Sequence, residues 1–264
     1  MRALLRDHRH FRRAAEEFCQ DEAAQGVRCA EVTFTAAAHG ERLGDPDTPL
    51  EAVLEGLAAG AERYGVHTRV IPDHSRRRSV GRLWRSLEPA ARYPQVIAFG
   101  LAGDESYPAA PFAEVLQAAR EAGLHLVHHA GETAGPAGVR EAPTVGHAER
   151  TGHGIRVPED PVPVAELRRR RAPLEVRPSS HVLLELVPSP AEHPLPRPVE
   201  AGLTVTVNTD GETSSAAEYQ RVRENFGYSD AGLADPARAS VEGGFAPTGL
   251  KAQVSAEIDQ RLSG

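Results

Sequence analysis

Apolar and polar positions in this chain switch repeatedly between a helical period and short continuous apolar runs. Phe11, Ala14, Ala15, Phe18 and Glu22 fall at helical spacing within residues 11–25, and Gly26 stops that helix. A β-rich run over 27–34 predicts the first strand, and helix returns over 49–64. The pattern then predicts strand 66–71, helix 76–91, strand 95–101 and helix 111–122, closed by Gly123 ahead of a strand from Leu124. A short helix is expected over 142–148, with Pro143 near its start, where a missing N–H does no harm. Strand 150–157, helix 161–171, strand 174–176, a single helical turn at 198–201 and strand 203–207 follow, with helical patterns at 214–225 and 251–262. Seven strands alternating with helices are the signature of a parallel α/β fold. A closed barrel needs eight, and this chain opens on a helix. The expectation is a (β/α)8 barrel of the TIM type without its first βα unit, forming one domain over 1–264, while an open doubly wound sheet is also compatible with the pattern.

Chemistry-bearing residues cluster just past the strand ends, where such barrels place their sites. The run from Leu124 breaks into His128, His129, Gly131 and Glu132; His153 sits between two glycines; the run 203–207 leads to Asp210. Imidazoles at His129 and His153 with a carboxylate at Asp210 suit a divalent metal of the zinc type. Glu132 lies past Gly131, so it should stand beside the metal rather than on it, as a proton shuttle for a hydrolase. Singly, a strand-end His or Asp is more often a structural hydrogen-bonding residue; three such ends together favour a shared site. His128 should alternate to the opposite face of its strand and be structural.

Composition narrows the classes. With 30 Lys+Arg against 37 Asp+Glu, the net charge of −7 favours neither a nucleic-acid groove nor an anionic membrane. Cys19 and Cys29 do not make a disulfide framework. No apolar run approaches a membrane span and the start is too charged for a signal peptide, so a cytoplasmic setting is expected.

The motifs His129-Ala-Gly-Glu132, Thr151-Gly-His-Gly154 and Val207-Asn-Thr-Asp210, preceded by Leu101-Ala-Gly-Asp-Glu105 and with Pro178-Ser-Ser180 between them, resemble the adenosine deaminase family in order and spacing. The resemblance runs from about Phe11 to the C-terminus. It implies hydrolytic deamination of an aminopurine nucleoside, adenosine or a related aminated purine, by a zinc-activated water. It would make His129 and Asp210 metal ligands, with Asp210 also holding the attacking water and His153 acting on that water as base or electrostatic guide. Glu132 would protonate the purine ring nitrogen, which requires a pKa raised by burial. The Gly103 N–H would hydrogen-bond the purine.

Some positions depart from the family pattern. The strand carrying a His-x-His metal pair has no counterpart here, and His8-Arg-His10 lies in a charged helix start instead. Gly211 replaces an acidic or amide residue that contacts the purine, Gly100 stands where an acidic residue is common, and Arg177 replaces a smaller one, which would change the charge of the pocket. The alternative is thus a non-catalytic nucleoside-binding or interaction protein of the same fold. Two exposed strand edges would also invite self-association.

Overall fold

The structure, a computed structural model, describes residues 4–211 and 213–263, which fall into two compact units. One runs to Gly103 and takes in Pro111–Leu126; the other comprises Asp104–Ala110 and the chain from Val127.

In the first unit, α1 (His8–Ala24) leads into β1 (Cys29–Phe34), α2 (Ala36–Leu43), α3 (Thr48–Tyr64), β2 (His67–Ser75), α4 (Val80–Arg92), β3 (Ala98–Ala102) and α5 (Ala113–Glu121). The Asp7 carboxylate caps α1 by accepting from the N–H groups of Arg9 and His10, at 3.0 and 3.3 Å. Beyond this cap α1 buries Phe11, Ala15, Cys19 and Glu22; of the positions picked out by periodicity, Ala14 is exposed and Phe18 half-buried, because the buried stripe passes through Cys19 instead. His8 pairs with Glu55 at 3.0 Å and His10 lies beside Asp7, so both belong to the helix start. β1 pairs with β2 in parallel from Cys29↔His67 to Phe34↔Pro72, and β2 pairs with β3 from Asp73↔Gly100 to Ser75↔Ala102. No disulfide joins Cys19 and Cys29.

β4 (His125–Ala130) belongs to the second unit from Val127 onward, where it pairs in parallel with β5 (Arg150–His153) from Val127↔Arg150 to Ala130↔His153. β5 pairs with β6 (Leu174–Val176), and β6 with β7 (Val205–Val207) through Leu174↔Val205 and Val176↔Val207. Between the strands lie α6 (Pro136–Thr144), α7 (Pro161–Arg170), α8 (Pro178–Leu183) and α9 (Pro196–Glu200); α10 (Ser215–Phe226), α11 (Asp230–Gly243) and α12 (Thr248–Ser263) follow. Val139, Ala142, Leu167, Leu174, Val205 and Val207 belong to one buried cluster that joins sheet to helices. Among the described residues no helix is long and apolar enough to cross a membrane.

All seven anticipated strands are present, and the differences from the sequence reading have local causes. α6 starts at Pro136 rather than at 142, because that proline takes the first helical position and Val139 and Ala142 point into the core. Pro143 falls near its end. β5 stops at His153 because His153 and Gly154 both turn to positive φ, 67° and 66°. α2, α8 and α11 were not anticipated; Gly40, the leading Pro178 and the interior Pro236 mask their periodicity.

The closest approach in the first unit is between α1 and α3. A Cβ on Gly56 would lie 2.1 Å from the Arg12 carbonyl oxygen, and one on Gly60 would lie 2.5 Å from the Cys19 Cβ. Gly56→Ala should therefore force the helices apart and cost about 1–3 kcal/mol, read as a lower urea midpoint. An unchanged midpoint would contradict that packing.

Candidate active site

The end of β4 sets two histidines on opposite faces. His128 is fully buried and donates from Nε2 to the Gly146 carbonyl at 2.8 Å, the structural role expected of it. The His129 ring stands 4.7 Å from that of His153, nearly perpendicular at 81°. Their approach depends on Gly152, where a Cβ would lie 2.9 Å from the His129 ring and 3.3 Å from Arg177 Nη1.

The loop after β4 is tied to one carboxylate. Glu105, buried, accepts the N–H groups of Gly131, Glu132 and Ala134 at 3.1, 3.0 and 2.9 Å. Three backbone donors on one carboxylate fix the loop's path, and with it the root of the Glu132 side chain. That side chain is only 12% exposed, and its Oε1 lies 3.5 Å from His153 Nδ1. Burial, then the negative charges of Glu105 and Asp210, raise the Glu132 pKa to about 7, against the opposing pull of Arg177. His153 is buried and holds a left-handed conformation that an imidazole-bearing residue adopts only under constraint, a strain of about 1–3 kcal/mol.

Asp210 lies past β7. Its Oδ2 accepts from the Ser180 hydroxyl at 2.9 Å, and its Oδ1 is 3.4 Å from Arg177 Nε. Arg177 reaches three site groups at once: besides Asp210, its Nη1 is 2.8 Å from His153 Nε2 and its Nη2 donates to Glu175 Oε2 at 3.3 Å. Glu175 also pairs with Arg150 at 2.9 Å. On its other side His153 continues into a row of imidazoles. Its Nδ1 is 2.8 Å from His181 Nε2, and His181 Nδ1 is 2.8 Å from His193 Nε2. Burial pushes the pKa of His181 down to about 3 and of His193 to about 4, and that of His153 well below the usual imidazole range, so all three are neutral near pH 7.

Glu132, His153 and Asp210 thus gather around Arg177, with the His129 ring against His153. Gly211, beside Asp210, adopts φ 91°, with open space where a Cβ would stand. Gly103 belongs to the first unit, where it follows β3 at φ 81° and a Cβ would lie 3.2 Å from the Ser75 hydroxyl. Sequence reasoning placed Glu105 and Ser180 in motifs without roles, and it flagged Arg177 only as a change of charge. It passed over His181 and His193, which carry no spacing signal. A cavity of about 470 Å³ opens beside Glu132, lined among others by Ile155, Arg156, Leu186, Val187 and Arg197.

Comparison with known proteins agrees with these motifs. The family model described as "Adenosine deaminase" matches residues 1–261. An adenine deaminase of Streptomyces coelicolor is 37% identical over 97% of this chain and 78% of its own length. The crystal structure of an adenine deaminase from Arthrobacter aurescens superposes with a TM-score of 0.94 at 31% identity, covering 98% of this chain and 81% of that one. A zinc-bound amidohydrolase from Burkholderia ambifaria shares the fold, with a TM-score of 0.92 at 24% identity over 99% of this chain and 76% of its own. The likeness assigns the seven strands to the α/β-barrel class.

The raised pKa of Glu132 has a consequence for stability. Its folded value, about 7, lies above the ordinary 4.5, so the folded state holds the proton more tightly. Stability is then lost as pH rises from about 4.5 to about 7 and stays lost above. Glu132→Gln escapes this penalty. The variant should match the parent near pH 4 and exceed it by up to about 3 kcal/mol near pH 8, measured by urea unfolding at the two pH values. Equal stabilities at both would contradict the burial of that carboxyl.

Proposed function

The chain belongs to the adenosine deaminase family, whose members are metal-dependent aminohydrolases, and from that premise we propose that it hydrolytically deaminates an aminopurine, adenine or adenosine. One observation carries the reading: a carboxyl, Glu132, that burial keeps protonated up to about pH 7 beside a buried imidazole and a wall of the cavity. A protonated carboxyl is the group needed to donate to a purine ring nitrogen as water oxygen adds to the adjacent amine-bearing carbon. The amine departs as ammonia and the carbon becomes a carbonyl. The cavity has a volume in the range of small-molecule sites, and Ile155, Leu186 and Val187 offer apolar faces to a purine ring. The names of the similar proteins favour the free base as substrate.

His129 and Asp210, one imidazole and one carboxylate, are donors of the zinc type, two of the three a catalytic zinc normally takes, and these are the residues that would hold it. When bound, zinc lowers the pKa of water toward neutrality. The remaining work falls to the chain itself. Ser180 fixes the Asp210 carboxylate through Oδ2, Glu105 fixes the loop that presents Glu132, and His153 faces both Glu132 and Arg177. One observation favours the alternative of a non-catalytic purine binder: Arg177 already sets a positive charge against Asp210. A cation held there repels a second one.

Two measurements follow. With zinc supplied, ammonia release from adenine or adenosine is expected from the parent chain and not from Glu132→Gln, whose zinc content should be unchanged. A parent that binds both purines but releases no ammonia would sink the deaminase reading in favour of the binder. Arg177→Ala should bind zinc about tenfold more tightly, roughly 1.4 kcal/mol, in competition with a chromogenic chelator. Equal affinities would mean that the guanidinium does not oppose the metal.

A further inference from the structure

The row of three imidazoles beside the site poses a hydrogen-bonding problem with few solutions. A neutral imidazole has one N–H and one lone pair. His153, His181 and His193 form a row closed by a donor at each end. At the inner end the backbone N–H of Leu195 donates to His193 Nδ1 at 3.0 Å; at the outer end Arg177 Nη1 lies 2.8 Å from His153 Nε2. Between them stand the two ring-to-ring contacts of 2.8 Å. Three hydrogens on three rings, flanked by two donors, can satisfy three of these four contacts. One must set donor against donor, and its place fixes every tautomer in the row.

Burial decides which contact gives way. Leu195 is 1% exposed, and His181 and His193 are sealed at 0% and 2%, so water does not reach the Leu195 N–H and His193 Nδ1 is the acceptor it has. Leaving that group unpaired costs about 1–3 kcal/mol. Arg177 has the Glu175 and Asp210 carboxylates as further partners, and the side chains of Asp210 and Glu132 are 32% and 12% exposed, so an oxygen can enter at this end. The mismatch belongs where it can be relieved. We infer that His193 and His181 are positioning residues that carry the polarity of the Leu195 N–H outward and hold His153 as the tautomer bearing its hydrogen on Nε2.

His193 then accepts at Nδ1 and donates from Nε2 to His181 Nδ1, and His181 donates from Nε2 to His153 Nδ1. The same polarity settles a second matter. Glu132, His153 and His181 offer ligand atoms within 4.8 Å of one another, as a metal site would. With its hydrogen on Nε2, however, His181 has no lone pair to give there. His153 turns an N–H toward the site, and with Arg177 it presents two converging donors that match one oxygen atom. The tautomer does not depend on the reaction. That the oxygen is the attacking water rests on the deaminase reading, and it makes His153 a hydrogen-bond donor to that water rather than its base.

Long-range proton–nitrogen NMR spectra of the ¹⁵N-labelled full chain near neutral pH test this without turnover. His153 should show Nε2 protonated and Nδ1 bare. His193→Phe removes the inner donor to His181, so His153 should shift toward the Nδ1–H form under the pull of Arg177. His193→Gln can accept the Leu195 N–H through its carbonyl and donate onward through its amide, and should retain the parental form. A role confined to packing would not separate these two variants. The inference is overturned if His153 in the parent carries its hydrogen on Nδ1, or if His193→Phe leaves the tautomer unchanged. Should His193→Phe not fold, the parent spectrum decides alone. Absence of ammonia release alongside the expected tautomer would count against the deaminase reading only.

Discussion

The guanidinium of Arg177 touches Asp210, Glu175 and His153, and this one buried positive charge ties the separate groups of the site together. It balances two carboxylates that would otherwise repel, and it lowers the proton affinity of His153 from one side while burial does so from all sides. It also opposes the upward drift of the Glu132 pKa, which burial and the neighbouring carboxylates cause. A buried charge of this kind persists only where partners surround it, and here they come from β6, from the end of β5 and from the loop past β7. The site is therefore a property of adjacent strand ends rather than of any one segment.

A second constraint lies behind it. Glu105 accepts three backbone N–H groups of the loop after β4, and the row from Leu195 to His153 links α8 and the segment before α9 to the end of β5. Both devices use backbone amides, whose direction the fold fixes, to orient side chains that carry the chemistry. The left-handed backbone at His153 belongs to the same economy of position: strain at one residue points its ring between Glu132, His181 and Arg177. Family membership and the motif order agree with a hydrolytic site assembled in this way.

Much of this was legible beforehand. The strands betray themselves because a parallel strand covered on both faces reads as a continuous apolar run, and the run from Leu124 ends abruptly in polar residues. His128 and His129 could be assigned to opposite faces from strand alternation alone, and the buried contact of His128 with Gly146 agrees. Helices were harder where proline or glycine interrupted the period, as in α2, α8 and α11. Arg177 could be seen to add charge, but its partners could not be named, because Glu175, His153 and Asp210 come from three separate segments.

The sequence by itself determined the alternation of strands and helices, the strand ends that carry chemistry and the family they resemble, since each rests on local periodicity or a short motif. Only the tertiary structure decided how those ends act on one another. The raised proton affinity of Glu132, the company of Arg177 and the row of His153, His181 and His193 all depend on burial and on distances between segments far apart in the chain. Desolvation and hydrogen-bond polarity are set by what surrounds a group, and the surroundings exist only once the chain has folded.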